Sequence, residues 1–272
     1  MKSTKLKLLV LSIICGTLMI SCQVTEFDSI NDSFPVSEPL WLSENLSVES
    51  TGTVYLNVMK LIKKDFMPPG VRITYSGLVI YIDPLEIIRQ EKADYIFITH
   101  NHADHFSIVD IEKLTGDGTV IIAPGNVRKK LEGYTHRETK LGEIVKLEDL
   151  TYEVVPSYNV KRGFFHMPLH KRSDDFAGYI LSFDSIRVYH AGDTDLIPEM
   201  GDFDELTLVL VPIGEGKTAM TPRKAAEAVN LMQPDVAIPI HYELGQGHES
   251  EFTELVNKSV RVELFHQIQE AR

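Results

Sequence analysis

Three histidines and an aspartate fall within six positions of the stretch Tyr95-Ile96-Phe97-Ile98-Thr99-His100-Asn101-His102-Ala103-Asp104-His105. The chain of 272 residues holds ten histidines, so composition alone does not account for this density. Tyr95 to Ile98 is short, β-branched and aromatic, and reads as a buried strand. Side chains alternate along a strand, so His100 and His102 project to one side of its C-terminal end, and Asp104 shares that side as far as the extended backbone lasts. His105 falls in the turn before Ser107 to Leu114, whose apolar residues recur at helical spacing. Imidazoles and a carboxylate so spaced suit a divalent transition metal, usually zinc. The alternative is a polar loop of solvated histidines, and the crowding of ligand-type groups weighs against it.

His100-x-His102-x-Asp104-His105 resembles the signature of the metallo-β-lactamase superfamily. Later segments resemble its ascorbate-6-phosphate-lactonase-like branch of metal-dependent hydrolases, and the likeness runs from about Val71 to about Glu254. The resemblance implies an α+β fold, an αββα four-layer sandwich, with a two-metal site at the sandwich edge. Tyr158-Asn159 and Ala177-Gly178-Tyr179 frame a loop in which the family places a metal-binding histidine. His170, eight residues before Gly178, has the spacing the family implies, and His166, after an aromatic pair, is the other candidate. Asp193, leaving a strand end after Gly192, is implied to bridge the two metals. His241, at the end of the apolar strand Asp235 to Pro239, is implied to close the second site.

The implied ligand sets are therefore His100, His102 and His170 for one cation, and Asp104, His105 and His241 for the other, with Asp193 shared. Two cations bring the pKa of bound water down to about 7, which suits attack on an ester, lactone, amide or phosphodiester centre. Asp104 is the residue implied to handle the proton as well. Redox diiron members of the superfamily carry a carboxylate where this chain has His102, which argues for zinc, with manganese the other option in the lactonase-like branch. An exported metal-binding protein of the same fold without turnover is the competing reading. Asp83, in Ile82-Asp83-Pro84, is implied to support the ligand histidines, the alternative being a turn cap before Pro84. His190 reads as a packed or supporting histidine.

These residues need elements to carry them. Val71 to Tyr75 and Leu78 to Ile82 read as strands around a Ser76-Gly77 hairpin turn. Thr119 to Ala123 is a further strand and Asn126 to Glu132 a short helix. Glu143 to Leu147 and Thr151 to Val155 flank another hairpin. Ser185 to Tyr189 and Leu206 to Pro212 are strands, and Pro222 to Leu231 is an amphipathic helix with Thr221 as its N-cap. Strand-rich halves with few helices between them fit two packed sheets with helices outside.

The N-terminus reads differently. Met1 to Lys7 carries three lysines and no acid, and Leu8 to Ile20 is an apolar run of thirteen residues, short for a membrane span and right for a signal peptide. Ser21-Cys22 after this run resembles a lipoprotein cleavage box, implying residues 1–21 as a signal peptide and a lipidated Cys22 that anchors the chain to a membrane outside the cytoplasm. Cys15 and Cys22 are the two cysteines of the chain, so the expected mature domain forms no disulfide and offers no thiolate to a metal. Residues 22–53 read as a tether, with one short helix near Trp41 to Leu46 and Trp41 packed onto the domain rim. The hydrolase domain is expected over 54–272. The net charge is −12 and loss of the leader lysines makes the body more acidic, which argues against nucleic acid as a partner. The expected partner is a small-molecule or lipid substrate: a sugar lactone by resemblance, a phospholipid-type phosphodiester by the anchor, and a β-lactam least of all.

Overall fold

The computed structural model describes residues 27–28, 38–52, 54–58, 62–87, 89–160, 168–214 and 217–265. Two seven-stranded sheets stand face to face among these residues. The first runs, in spatial order, His136–Thr139, Val120–Pro124, Tyr95–Phe97, Leu78–Ile82, Val71–Tyr75, Leu46–Ser50 and Leu40–Trp41. The second runs Ile144–Lys146, Thr151–Pro156, Ala177–Phe183, Ile186–His190, Leu208–Pro212, Val236–Ile240 and Arg261–Val262. Each sheet is parallel on one side and antiparallel on the other. A separate four-stranded sheet joins Phe27–Asp28, Val54–Val58, Ile62–Met67 and Tyr242–Glu243.

Strand periodicity explains why both faces of the first sheet are dry. In Leu78–Ile82, Ile80 and Ile82 face the second sheet, while Val79 and Tyr81 join the opposite apolar cluster. The same split puts Phe97 and Ile122 inward and Ile96, Ile98, Ile121 and Ala123 outward. Between the sheets the Phe97 ring meets Tyr152 at 5.3 Å and Tyr179 at 5.0 Å, both edge-on, the geometry aromatic quadrupoles favour. The Tyr179 hydroxyl donates to the Ile98 carbonyl at 2.7 Å, tying the two sheets next to the histidine motif.

The helix Ile108–Leu114 covers the outer face of the first sheet with Ile111 and Leu114, and Ser107 caps it by accepting from the Asp110 amide. Pro222–Met232 covers the second sheet over Leu208–Pro212 and packs on His248–Leu255, with Thr221 capping Lys224 N as its sequence implied. The layers are helix, sheet, sheet, helix. The expected short helix at 126–132 is a 3-10 helix, Gly125–Leu131. Ser76 (φ +48) and Gly77 (φ +92) form the tight turn that joins Val71–Tyr75 to Leu78–Ile82.

The domain start differs from expectation. Leu46–Ser50, read as tether, is a fully buried strand paired with Val71–Tyr75, and the stretch Trp41 to Leu46 forms no helix. Leu46 and Val48 point into the main core, and Glu49 on the other face is buried against Arg72 at 2.6 Å. Glu49, whose charge made the segment look like linker, is neutralised in a buried ion pair, and Ser47 and Ser50 are buried beside it. Trp41 is 59% exposed on its edge strand and does not pack onto the rim. Residues 1–26 and 29–37 lie outside the described residues, and with them the expected signal peptide, Cys22 and much of the expected tether.

Candidate metal centre

Asp83 ends the strand Leu78–Ile82 and turns into the left-handed region, at φ +47. Its Oδ1 accepts from the Thr99 amide at 2.7 Å, and its Oδ2 accepts from the Thr99 hydroxyl at 2.6 Å and from His105 Nδ1 at 2.7 Å. That fixes the His105 tautomer: Nδ1 carries the proton and Nε2 points forward. Because the Thr99 hydroxyl gives its proton to Asp83, its lone pairs face His100 Nδ1 at 3.0 Å, and His100 likewise presents Nε2. His100 Nε2 and His102 Nδ1 then face one another at 3.1 Å. Two nitrogen lone pairs at that distance call for a proton or a cation between them.

The second sheet brings the remaining donors. Gly192 sits at φ +61, and a Cβ there would lie 3.0 Å from the Ala177 carbonyl and 3.2 Å from both Ser157 Oγ and Thr99 Cβ, so backbone and space both favour glycine. The next residue, Asp193, directs Oδ1 to 3.2 Å from His105 Nε2 and 3.4 Å from His241 Nδ1. His170 turns Nδ1 to the Asp193 carbonyl at 3.2 Å. Its backbone is held from both sides by Asn159, whose amide donates to the His170 carbonyl at 2.9 Å and whose Oδ1 accepts from the His170 amide at 3.0 Å. His241 follows Val236–Ile240 at φ +55, a strained conformation for a histidine, and its Nε2 lies 3.3 Å from Asp104 Oδ2.

Seven side chains from distant parts of the chain thus converge. His100, His102 and His170 form one group; Asp104, His105 and His241 form another; His100, His105 and Asp193 join the two. In each group the donor atoms lie within 4.8 Å of one another. His105 Nε2, His170 Nε2, Asp193 Oδ1 and His241 Nδ1 are buried with no hydrogen-bond partner among the described residues. Buried polar atoms are rarely left so; His170 Nε2 belongs to the first group and the other three to the second and its link, and each set fits a cation that would take its lone pairs.

The charge states agree. Burial, then the neighbouring His105, holds His100 well below the usual imidazole range. Burial also lowers His102 and His170, so all three offer neutral nitrogens at pH 7. Burial alone would raise the Asp104 carboxyl, but the hydrogen bond from His241 and the charge of His105 bring it to about 2. Burial opposes charge on His105 too, and the carboxylates of Asp193 and Asp83 outweigh it, raising that imidazole well above its ordinary value. A proton on His105 stands where a cation would.

His190 is fully buried outside this cluster. Its Nε2 lies 2.8 Å from the Pro69 carbonyl and its Nδ1 accepts from the Gly192 amide at 3.2 Å, so both nitrogens are committed to backbone. His166 lies outside the described residues. Sequence reasoning did not single out Phe176, whose ring touches His100 at 4.8 Å and His170 at 4.9 Å and forms an apolar wall. It also missed Thr99 as a support and Phe66, whose ring stands edge-on to His241 at 5.0 Å. The one signal for Phe176 was its place directly before Ala177-Gly178-Tyr179.

Residues 75–242 match the beta-lactamase superfamily domain. A UPF0173 metal-dependent hydrolase of Methanopyrus kandleri is 35% identical over 180 residues, covering 61% of this chain and 77% of that protein. Among solved structures, a candidate metal-dependent hydrolase of Parabacteroides distasonis is 29% identical with a TM-score of 0.66, covering 84% of this chain and 98% of that one. A metallo hydrolase of the archaeon Ignicoccus hospitalis is 26% identical with a TM-score of 0.59, covering 73% and 92%. The chain belongs to the beta-lactamase superfamily, within its UPF0173 metal-dependent hydrolase family. Its two packed sheets are the metallo-β-lactamase fold.

Proposed function

We propose that this metal-dependent hydrolase is binuclear and cleaves an ester, lactone or phosphodiester, with His100, His102 and His170 around one divalent cation, Asp104, His105 and His241 around the other, and Asp193 between. The observation that carries this reading is the set of buried donor atoms without hydrogen-bond partners among the described residues, in two groups joined by a third. Donors of nitrogen and carboxylate oxygen, without sulfur, suit zinc first and manganese second. Such a pair of cations supplies Lewis acidity, lowering the pKa of water and offsetting charge that builds on a carbonyl or phosphoryl oxygen.

The chain's own residues do the rest. Asp83 and Thr99 hold the Nδ1 sides of His105 and His100, which turns each Nε2 toward the cation, and Phe176 walls the rear of the first group. His102 and Asp104 are the least buried of the seven, so they mark the side from which substrate enters. Asp104 Oδ2, near that side, is the group placed to take and return a proton.

The substrate class and cellular place belong to the same proposal. The leader pattern supports an exported lipoprotein anchored through Cys22, and the acidic body supports a small-molecule or lipid substrate over nucleic acid. The lactonase-like resemblance favours a lactone, and the anchor favours a phospholipid-type phosphodiester. Metal analysis of protein beginning at Val24, alongside a panel of lactones, esters and phosphodiesters assayed with added zinc or manganese, tests all of this. Two ions per chain are expected, with turnover of one substrate class lost in His170→Ala and Asp193→Asn. Two ions without turnover on any class would favour the non-catalytic binding protein, and protein that takes up no stoichiometric metal would end the reading.

A further inference from the structure

Each of three buried imidazoles in the centre is held from behind by a hydrogen bond: His105 by Asp83, His100 by Thr99, and His170 by the Asp193 carbonyl. His241 has no such support among the described residues. Both its nitrogens face carboxylates, Nδ1 toward Asp193 at 3.4 Å and Nε2 toward Asp104 at 3.3 Å. Its backbone stands at φ +55, in the left-handed region, which histidine enters more readily than most side chains but which leaves its ring without a strand neighbour's support. Something else must fix the rotation of its ring.

The strand Ile62–Met67 supplies it. This strand pairs antiparallel with Tyr242–Glu243, setting Met67 opposite Tyr242 and Phe66 opposite Glu243, directly after His241. The Phe66 ring meets the His241 ring at an interplanar angle of 88°, with centroids 5.0 Å apart. The foot of the strand is pinned. His190 Nε2 donates to the Pro69 carbonyl at 2.8 Å, and the Thr51 amide donates to the Gly70 carbonyl at 3.0 Å. Gly70 lies so close to its surroundings that a Cβ would come within 2.7 Å of the Asp83 carbonyl. The strand Ile62–Met67, Pro69 and Gly70 all precede residue 75, where the family-matched span begins.

We propose that Phe66 is a positioning residue for His241, so that the cation held by Asp104, His105 and His241 depends on a strand that lies outside the family-matched span. The inference rests on the two-cation reading above. It assigns the buried His190 a role as well: it anchors the strand that carries Phe66.

The test is a zinc titration of the full chain in detergent micelles against a chromogenic chelator, comparing wild type, Phe66→Ala, Phe66→Tyr and His241→Ala. Loss of a supporting partner typically weakens a metal site about 10–100-fold, and Phe66→Ala is expected to weaken one of two zinc sites by that factor and leave the other unchanged. His241→Ala should abolish the same site, and Phe66→Tyr, which keeps the ring edge, should restore wild-type affinity. Should Phe66→Ala not fold, Phe66→Val gives the same readout. Wild-type affinity at both sites in the alanine variant overturns the proposal, as does equal weakening of both sites, which marks general loosening. A wild type that binds fewer than two ions overturns the two-cation reading itself, whereas a wild type with two ions and an unaffected variant overturns this inference alone.

Discussion

Asp83 accepts three hydrogen bonds while fully buried, and the ionised carboxylate is the form those donors need. Asparagine in its place turns one acceptor into a donor among donors. Asp83→Asn is expected to weaken zinc binding by about 10–100-fold and lower Tm, read by titration and thermal unfolding; unchanged affinity would show that His105 orients itself. His105 makes a second prediction. With its pKa raised well above the ordinary value it is protonated in the metal-free protein at pH 7, and a cation must displace that proton. Zinc affinity should therefore fall as pH falls, and calorimetric heats at pH 7 should differ between buffers of different ionisation enthalpy. Identical heats would contradict the displacement. At this scale the motif from His100 to His105 was legible because its ligands are contiguous and follow a buried strand. Thr99, Asn159 and Phe176 were not, since a threonine, an asparagine or a phenylalanine carries no chemical mark of its role until folding brings it beside an imidazole.

His190 joins two elements, the strand Ile186–His190 and the turn Met67-Pro68-Pro69-Gly70. Burial lowers its pKa below that of the unfolded chain. The unfolded chain is then the first to take up a proton as pH falls, so the contribution of His190 is fully present above about pH 6.5 and declines as pH drops below it. His190→Gln keeps a donor for the Pro69 carbonyl and removes the titration; its Tm should change less steeply than wild type between about pH 6.5 and 5. Parallel slopes would place the acid sensitivity in the other buried histidines. The strand Leu46–Ser50 shows why elements were harder to read than ligands. Leu-Ser-Val-Glu-Ser alternates at period two, but Glu49 reads as solvent-facing until Arg72, distant in sequence, is seen to neutralise it in the interior.

For the molecule as a whole, metal and fold are linked by mass action. An ion present at about 100 times its dissociation constant stabilises the native state by about 2.7 kcal/mol. Chelation should then lower Tm by about 5–10 °C for a domain of this size, with recovery on adding zinc. No shift on chelation would mean that the donor groups do not hold an ion in the folded chain. The sandwich itself was legible, because strand-rich halves with few helices leave little choice of layer architecture. Where it starts was not, because Leu46–Ser50 carries a glutamate whose burial depends on Arg72 across the first sheet. The described strands of the first sheet come from residues 40–139 and those of the second from 144–262, so each half of the chain builds one slab. His100, His102, Asp104 and His105 ride on the first, and His170, Asp193 and His241 on the second. Any ion gripped by both is a rivet through the seam. A chain severed between Lys140 and Glu143 should yield two fragments that rejoin more tightly with zinc present than without it, measured by fragment complementation.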